Sequence, residues 1–219
     1  MANLANFSPF EALAERLLPF AIPNGLDGAH DIAQITRVWT NVRAISKVDG
    51  GDLELLIAAT LLHDCVSIEK DSPDRTKASS LAAKAARIPL RGLNWDNAKI
   101  DQACHAIEAH SFSANIAPTT LEARILQDAD RLDAIGLIGV ARCFYVAGRM
   151  ASALYDPNDP RAENRALDDR SFAIDHFETK LLTLADSFQT SEGQRLAKAR
   201  HEELLAFHNA FLTQVGAYL

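Results

Sequence analysis

The sequence predicts an all-α single domain. Apolar residues recur at the three- and four-residue spacing of amphipathic helices along most of the chain, and the two-residue alternation of strands is nearly absent. Turn-forming residues separate these segments, as in Pro23-Asn24-Gly25 and Asp49-Gly50-Gly51. With 219 residues, 48% of them hydrophobic, the chain is long enough to bury the core of one large domain.

The helical periodicity predicts eight helices and one long loop. The loop is the polar run at 155–169, which contains two prolines. The helices are expected at about 9–20, 29–47, 52–64, 76–88, 95–111, 119–150, 170–186 and 191–216.

Composition excludes several classes of protein. The formal net charge of −7 argues against a binder of duplex nucleic acid, which needs Lys and Arg to neutralise phosphates. The three cysteines form no CxxC pair, so neither a disulfide framework nor a thiolate zinc site is indicated. The sequence shows no signal-peptide pattern and no apolar run of about 18 residues, so we expect a cytoplasmic protein with no membrane contact.

The first candidate stretch is "GAHDIAQITRVW" at 28–39. An apolar stripe on this helix should face the core, and a narrow polar row borders that stripe. Such a row fits the lining of a cleft, but alone it fits a solvated flank as well. The row consists of His30, Gln34, Arg37 and Asn41.

The second stretch, "DLELLIAATLLHDC", reads as a helix that is apolar almost all round and therefore buried. It ends in His63 and Asp64, where both burial and the negative end of the helix dipole disfavour a carboxylate. A cation held by the two side chains would remove that conflict. Alternatively, Asp64 begins an exposed loop and His63 caps helix carbonyls.

The third stretch places Asp128, Asp130 and Asp133 in an otherwise apolar helix at 122–142. Asp130 shares its face with small residues, so it needs a metal or an arginine as partner. Periodicity alone does not decide between Asp128 and Asp130. A further histidine, His110, ends the helix that precedes "SFS" and reads as a cap when it is taken alone.

Taken in order, these residues form the pattern H…HD…D. The chain resembles the HD-domain superfamily of metal-dependent phosphohydrolases, within it the bacterial branch with the motifs HDxxHxxRV…LHD…AHSFS…QDADRLDAIG. The resemblance extends from Gly28 to about Leu196. It implies an all-α helical bundle of the HD type over 1–219. The metal-binding core would occupy about 28–150, with C-terminal helices at about 168–219 packed on it.

The resemblance also implies a divalent cation held by four side chains. His63 and Asp64 match the central dyad, and Asp130 matches the last aspartate. Most relatives have a histidine as first ligand three residues before the "RV" pair, and this chain has Gln34 there. His30 is retained, so we expect it to be the fourth ligand, with Gln34 in its place or beside it. A glutamine oxygen is a weaker ligand for transition metals, so weakened metal binding is the third alternative.

The function implied is hydrolysis of a small phosphoester or phosphoanhydride, most plausibly a nucleotide. Asp64 and His110 would be catalytic, and Arg37 and Arg75 would bind phosphate through their guanidinium groups. The cation would be Mn, Mg, Co, Ni, Fe or Zn. Because of Gln34, the alternative is an HD protein that binds a nucleotide or a protein partner without turnover. Homo-oligomerisation is left open.

Overall fold

The computed structural model describes residues 3–22, 31–66, 68 and 74–216. Within these ranges the chain is helical, and its only strand-like pairing is an isolated bridge between Ala153 and Phe172. The all-α prediction is therefore confirmed. The α-helices are α1 Glu11–Ala21, α2 Ile32–Asp49, α3 Leu53–Leu62, α4 Ala78–Arg91, α5 Asn97–Ala109, α6 Leu121–Asp133, α7 Gly136–Arg149, α8 Asp175–Thr179 and α9 Ser191–Gln214. Short 3-10 helices are Leu4–Phe7, Arg75–Lys77 and Leu181–Ser187.

The single helix predicted at 119–150 is wrong, because α6 ends at Asp133 and α7 begins at Gly136. Ile135 adopts an extended conformation, and Gly136 has a φ of +69°, which favours glycine. Gly139 allows the break to be tight, since a Cβ there would lie 2.2 Å from the carbonyl oxygen of Ala134. The apolar periodicity continues through the break, so the pattern alone does not reveal it.

The helix predicted at 170–186 is also wrong in extent. Only α8 and the 3-10 helix at Leu181–Ser187 form there, separated by Lys180, whose backbone is not helical. The predicted loop at 155–169 is confirmed as irregular backbone.

The chain divides into two compact units, Met1–Asp130 with Gln189–Gly193, and Arg131–Phe188 with Gln194–Leu219. In the first unit, α3 contacts α1, α2, α4 and α5. Every residue of α3 from Leu55 to Leu62 is buried, as predicted from its apolar sequence. The predicted apolar stripe of α2 is buried at Ile35, Val38, Trp39, Val42 and Ile45.

In the second unit, four aromatic rings pack together with centroid separations of 5.7–6.1 Å: Phe144, Phe177, Phe207 and Phe211. The buried Asp175 accepts hydrogen bonds from Nη2 of Arg165 at 2.9 Å and from the backbone N–H of Asp168 at 2.7 Å. These contacts anchor the loop at 155–169 to the start of α8. Within the ranges described, no helix has the length and apolarity that crossing a membrane requires.

Candidate metal centre

His63 lies at the buried end of α3. The helix ends at Leu62, and His63 caps it with no exposed surface. Its Nδ1 lies 2.7 Å from the carbonyl oxygen of Thr60, which can only accept, so Nδ1 carries the proton. The two alternatives drawn from the sequence are thus compatible: Nδ1 caps a carbonyl, and the Nε2 lone pair stays available to a cation.

His110 ends α5 in the same way. Its Nδ1 donates to the carbonyl oxygen of Ile107 at 2.6 Å, and the side chain is buried. The ring meets that of His63 edge to face, with centroids 4.9 Å apart and planes at 88°. His63 and His110 are 47 residues apart in the sequence, yet the ends of α3 and α5 bring their ligand nitrogens within 4.8 Å of each other.

Asp64 and Asp130 supply the carboxylates. Oδ2 of Asp64 lies 3.4 Å from Nε2 of His63, and its Oδ1 lies 3.5 Å from Nε2 of His110. Oδ1 of Asp130 lies 3.7 Å from Nε2 of His63. The side chains of Asp64 and Asp130 are 30% and 25% exposed, so the cluster can be reached from solvent on the carboxylate side.

Gln34 completes the cluster from the first turn of α2. Asp31 caps this helix by accepting the backbone N–H of Gln34 at 2.9 Å. The side-chain Nε2 of Gln34 lies 3.2 Å from Nε2 of His63 and 3.3 Å from Oδ1 of Asp130. Gln34 is 1% exposed, and its Oε1 has no hydrogen-bond partner among the residues that the structure describes. Leaving such a buried acceptor unpaired costs about 1–3 kcal/mol.

This donor set fits a divalent cation. His63, Asp64 and His110 offer ligand atoms that all lie within 4.8 Å of one another. Ligands bound at about 2.1 Å to one cation lie roughly 3.0–3.4 Å apart, close to the 3.4 Å that separates Nε2 of His63 from Oδ2 of Asp64. The amide of Gln34 lies beside these atoms through its Nε2, and its oxygen, which has no partner among the described residues, is a further potential donor.

Electrostatics at His110 favour the protonated ring. Burial by itself would lower the pKa of His110. The interaction with Asp64 and the charges of Asp64 and Asp130 outweigh burial, so the pKa is raised above its ordinary value. His110 can therefore hold a proton beside the carboxylates.

Cys65 follows the dyad but is unsuited to be a thiolate ligand. Burial and the charge of Asp64 raise the pKa of its thiol to about 11. Its Sγ donates to the carbonyl oxygen of Ala82 at 3.5 Å. The thiol is therefore protonated at neutral pH and bonded to a backbone carbonyl.

The structure separates the roles of the neighbouring aspartates of α6. Asp130 lies beside His63, as described above. Asp128 is fully buried and accepts the N–H of Gln189 at 2.9 Å and both the N–H and the hydroxyl of Thr190 at 2.7 Å. Asp128 therefore fixes the chain at the start of α9 and has a structural role.

The remaining predicted residues are only partly described. Arg37 is half-buried on α2, close to one turn beyond Gln34. Arg75 begins a 3-10 helix, but its side chain lies outside the described residues, and so does all of His30. Their proposed roles remain predictions.

Two supporting contacts, made by Asn41 and Gln127, were not predicted from the sequence. Asn41 donates to the carbonyl oxygen of Ala129 at 2.9 Å, which ties α2 to α6 near Asp130. Gln127 donates to the carbonyl oxygen of Ala109 at 2.7 Å, which ties α6 to the end of α5. The only signal for them is a buried amide in a helix, and that signal does not reveal the partner.

These features define an all-α protein with a His/Asp centre suited to a divalent cation. The HD domain model matches residues 30–135. YpgQ of Bacillus subtilis (strain 168) is 32% identical over 182 residues, covering 81% of this chain and 80% of YpgQ. The chain belongs to the HD-domain family.

Solved structures have the same fold. An HD-superfamily hydrolase from Bacillus thuringiensis is 25% identical, with a TM-score of 0.70 over 95% of this chain and 99% of that one. YpgQ of Bacillus subtilis in complex with ADP is 28% identical, with a TM-score of 0.70 over 92% of this chain and 97% of that one. The resemblance to the HD superfamily and the HD-type helical fold are therefore confirmed.

Proposed function

We propose that this chain is a metal-dependent phosphohydrolase that acts on a nucleotide. The observation that carries the proposal is the convergence of Nε2 of His63 with the carboxylates of Asp64 and Asp130, at 3.4 and 3.7 Å. One imidazole nitrogen and two carboxylates leave coordination positions for water and a phosphate oxygen. His63, Asp64 and Asp130 would hold the cation, and His30 or Gln34 would provide the fourth ligand.

A divalent cation in this centre supplies Lewis-acid chemistry, since it acidifies water and offsets negative charge on phosphate. The protein's own residues provide orientation. The Nδ1 bond of His63 to Thr60 fixes the ring so that Nε2 faces the cluster. Asp64 lies within 3.5 Å of both histidines, which supports the proposal that it would orient the attacking water as well as bind the cation.

His110 is proposed as the proton donor. Its Nε2 faces Asp64 at 3.5 Å, and the interaction with Asp64 raises the pKa of the ring, which favours the protonated form. When a phosphate ester or anhydride is cleaved, negative charge develops on the leaving oxygen, and a nearby imidazolium can neutralise it. His110 would thus protonate the leaving oxygen.

Two arginines are proposed to hold the phosphate groups. Arg37 lies close to one turn beyond Gln34 on α2, and Arg75 lies in the segment that leads into α4. A guanidinium group pairs with two phosphate oxygens at once, which suits both arginines to this task. Losing either one should raise KM for a nucleotide more than it lowers kcat.

The choice of a nucleotide rests on the relative. The structure of YpgQ was determined in complex with ADP. A nucleoside di- or triphosphate offers the phosphoanhydride bond that this centre would cleave. The proposal therefore names the nucleotide class and leaves the base unspecified.

The test is hydrolysis by metal-depleted protein after metal is restored. Release of phosphate and pyrophosphate from a panel of nucleoside mono-, di- and triphosphates should appear with Mn²⁺, Mg²⁺, Co²⁺ or Ni²⁺. It should be lost in Asp64→Asn. Asp101→Asn is the matched control, because Asp101 is an exposed aspartate paired with Arg87. If Asp64→Asn hydrolyses nucleotides as fast as wild type, the proposal is contradicted.

A second candidate is nucleotide binding without turnover, and one observation favours it. Gln34 stands where most HD relatives have a histidine, and its amide contacts His63 and Asp130 directly. If nucleotides bind with no hydrolysis under any metal, while Gln34→His restores hydrolysis, the binding protein is the correct description.

A further inference from the structure

We propose that Gln34 binds the cation through its side-chain oxygen, and that this oxygen makes the centre prefer Mg²⁺ or Mn²⁺ over Zn²⁺ or Ni²⁺. The inference rests on the proposed function, in which the centre holds a divalent cation. It makes Gln34 the fourth ligand and names the class of metal that this ligand would favour.

The side-chain oxygen of Gln34 is unsatisfied. Gln34 is 1% exposed, and within the described part of the chain Oε1 has no hydrogen-bond partner. Buried carbonyl oxygens are normally paired with a donor or an ion. The neighbours of this amide are Nε2 of His63 and Oδ1 of Asp130, and neither carries a proton that Oε1 could accept when His63 is protonated on Nδ1.

The amide of Gln34 lies at a ligand's distance from its neighbours. Its Nε2 lies 3.2 Å from Nε2 of His63 and 3.3 Å from Oδ1 of Asp130, the spacing expected between two ligands of one cation. Rotation of the amide by 180° exchanges its oxygen and nitrogen at nearly the same place. The side chain can thus present N–H donors to the two acceptors or present its oxygen to a cation. Only the oxygen can bind a cation, because the amide nitrogen has no available lone pair.

The backbone of Gln34 is fixed. Asp31 accepts the N–H of Gln34 at 2.9 Å, which sets this residue in the first turn of α2. Seven residues on, Asn41 ties α2 to the carbonyl of Ala129, the residue before Asp130. Gln34 and Asp130 are therefore held at a set separation, and only the amide itself needs to turn.

The consequence for metal choice follows from the donor atoms. With Gln34 as ligand, the set is one nitrogen from His63 and three oxygens, from Asp64, Asp130 and Gln34. Oxygen ligands suit Mg²⁺ and Mn²⁺, whereas each imidazole favours Zn²⁺, Ni²⁺ or Co²⁺. Replacing the histidine of most relatives by Gln34 therefore shifts the preference toward harder cations.

The experiment compares metal affinities of four full-length proteins stripped with chelator: wild type, Gln34→His, Gln34→Leu and Gln102→His. Gln102 is exposed on α5, so Gln102→His adds an imidazole away from the centre. Affinities for Mg²⁺, Mn²⁺, Ni²⁺ and Zn²⁺ are measured by calorimetry, and thermal unfolding verifies that each variant folds. Pulsed electron paramagnetic resonance of bound Mn²⁺ detects directly coordinated nitrogen.

We expect Gln34→His to increase the ratio of Ni²⁺ to Mn²⁺ affinity by about tenfold or more and to add one nitrogen to the Mn²⁺ spectrum. Gln34→Leu should weaken Mn²⁺ binding by about tenfold or more. Gln102→His should match wild type in both readouts.

Two results would overturn the inference, and they are distinguishable. If Mn²⁺ binds wild type, is lost in Asp130→Asn, and is unaffected by Gln34→His and Gln34→Leu, then Gln34 is no ligand and the proposed function still stands. If neither wild type nor Gln34→His binds any of the four cations, the proposed function fails with it.

Discussion

The rings of His63 and His110 meet edge to face, with centroids 4.9 Å apart and planes at 88°. Each ring donates through Nδ1 to the carbonyl three residues before it, Thr60 and Ile107 respectively. Both Nε2 atoms are thereby directed toward Asp64. The two histidines nevertheless have different proposed tasks, since His63 would bind the cation and His110 would deliver a proton.

His110→Asn separates these tasks. Removing the proton donor should lower kcat for nucleotide hydrolysis by about 10²–10⁴-fold, while the bound metal per chain stays at the wild-type value. Metal content of purified protein and steady-state kinetics provide the two readouts. Loss of metal together with activity would make His110 a ligand and contradict its assignment as an acid.

Asp130→Asn and Asp128→Asn should have opposite effects. Asp130 contacts His63, so its loss should abolish metal uptake with little change in stability. Asp128 accepts hydrogen bonds from Gln189 and Thr190, so its loss should lower the free energy of unfolding by about 2–3 kcal/mol. Urea unfolding and metal titration distinguish the two variants, and the reverse pattern would mean that the roles of the aspartates are exchanged.

Gly193→Ala should destabilise the same contact. An added Cβ would lie 2.5 Å from both Oδ2 of Asp128 and Oγ1 of Thr190. We expect a loss of about 1–3 kcal/mol in the free energy of unfolding. Gly148→Ala is the control, because a Cβ at this helical position meets nothing within 4 Å and alanine should stabilise α7 by up to about 1 kcal/mol. Equal effects of the two substitutions would show that the close approach at Gly193 is unimportant.

Because of His208, the free energy of unfolding should decrease at mildly acidic pH. Burial, with a contribution from Arg161, lowers the pKa of His208 below its ordinary value of 6.5, and the charge of Glu178 opposes this only in part. The ring stacks on Phe177 at 5.4 Å. As the pH falls, His208 is protonated in the unfolded chain at a higher pH than in the folded protein. The contribution of the neutral ring to the free energy of unfolding is therefore fully present above pH 6.5. It falls as the pH drops from 6.5 toward the lowered value, by at most about 1.4 kcal/mol per pH unit.

The variant that isolates this effect is His208→Phe, which keeps a ring against Phe177 and removes the titrating group. The free energy of unfolding of wild type minus that of the variant should decrease between pH 7 and pH 5. Titration of groups that do not interact with His208, including His110, is common to both proteins and cancels in the difference. A difference that stays constant with pH would contradict the lowered pKa.

Much of the candidate metal centre could be predicted from the sequence, because its residues follow the ordered pattern H…HD…D and the family resemblance that this pattern carries. The apolar sequence of α3 predicts burial on all sides, and a His-Asp pair at the end of such a helix needs a partner. The aspartates of α6 could not be separated by pattern, since Asp128 and Asp130 each share a helical face with apolar or small residues. The contacts that decide their roles come from Gln189 and Thr190, about 60 residues away, and from His63.

The break between α6 and α7 was not predictable for a different reason. Apolar spacing continues from Leu132 to Val140, and the break depends on the positive φ of Gly136 and on the close approach of Gly139 to Ala134. The inward turn of the Gln34 side chain likewise depends on His63 and Asp130, which are distant in the sequence.

The most direct test of metal-dependent nucleotide hydrolysis is one titration. Chelator-treated protein is mixed with a nucleoside triphosphate, Mn²⁺ is added stepwise, and phosphate and pyrophosphate release is followed. The account predicts no turnover before addition and turnover that saturates as about one cation binds per chain, with none in Asp64→Asn. Turnover without added metal, or no turnover with any divalent cation in protein that binds one, would contradict it.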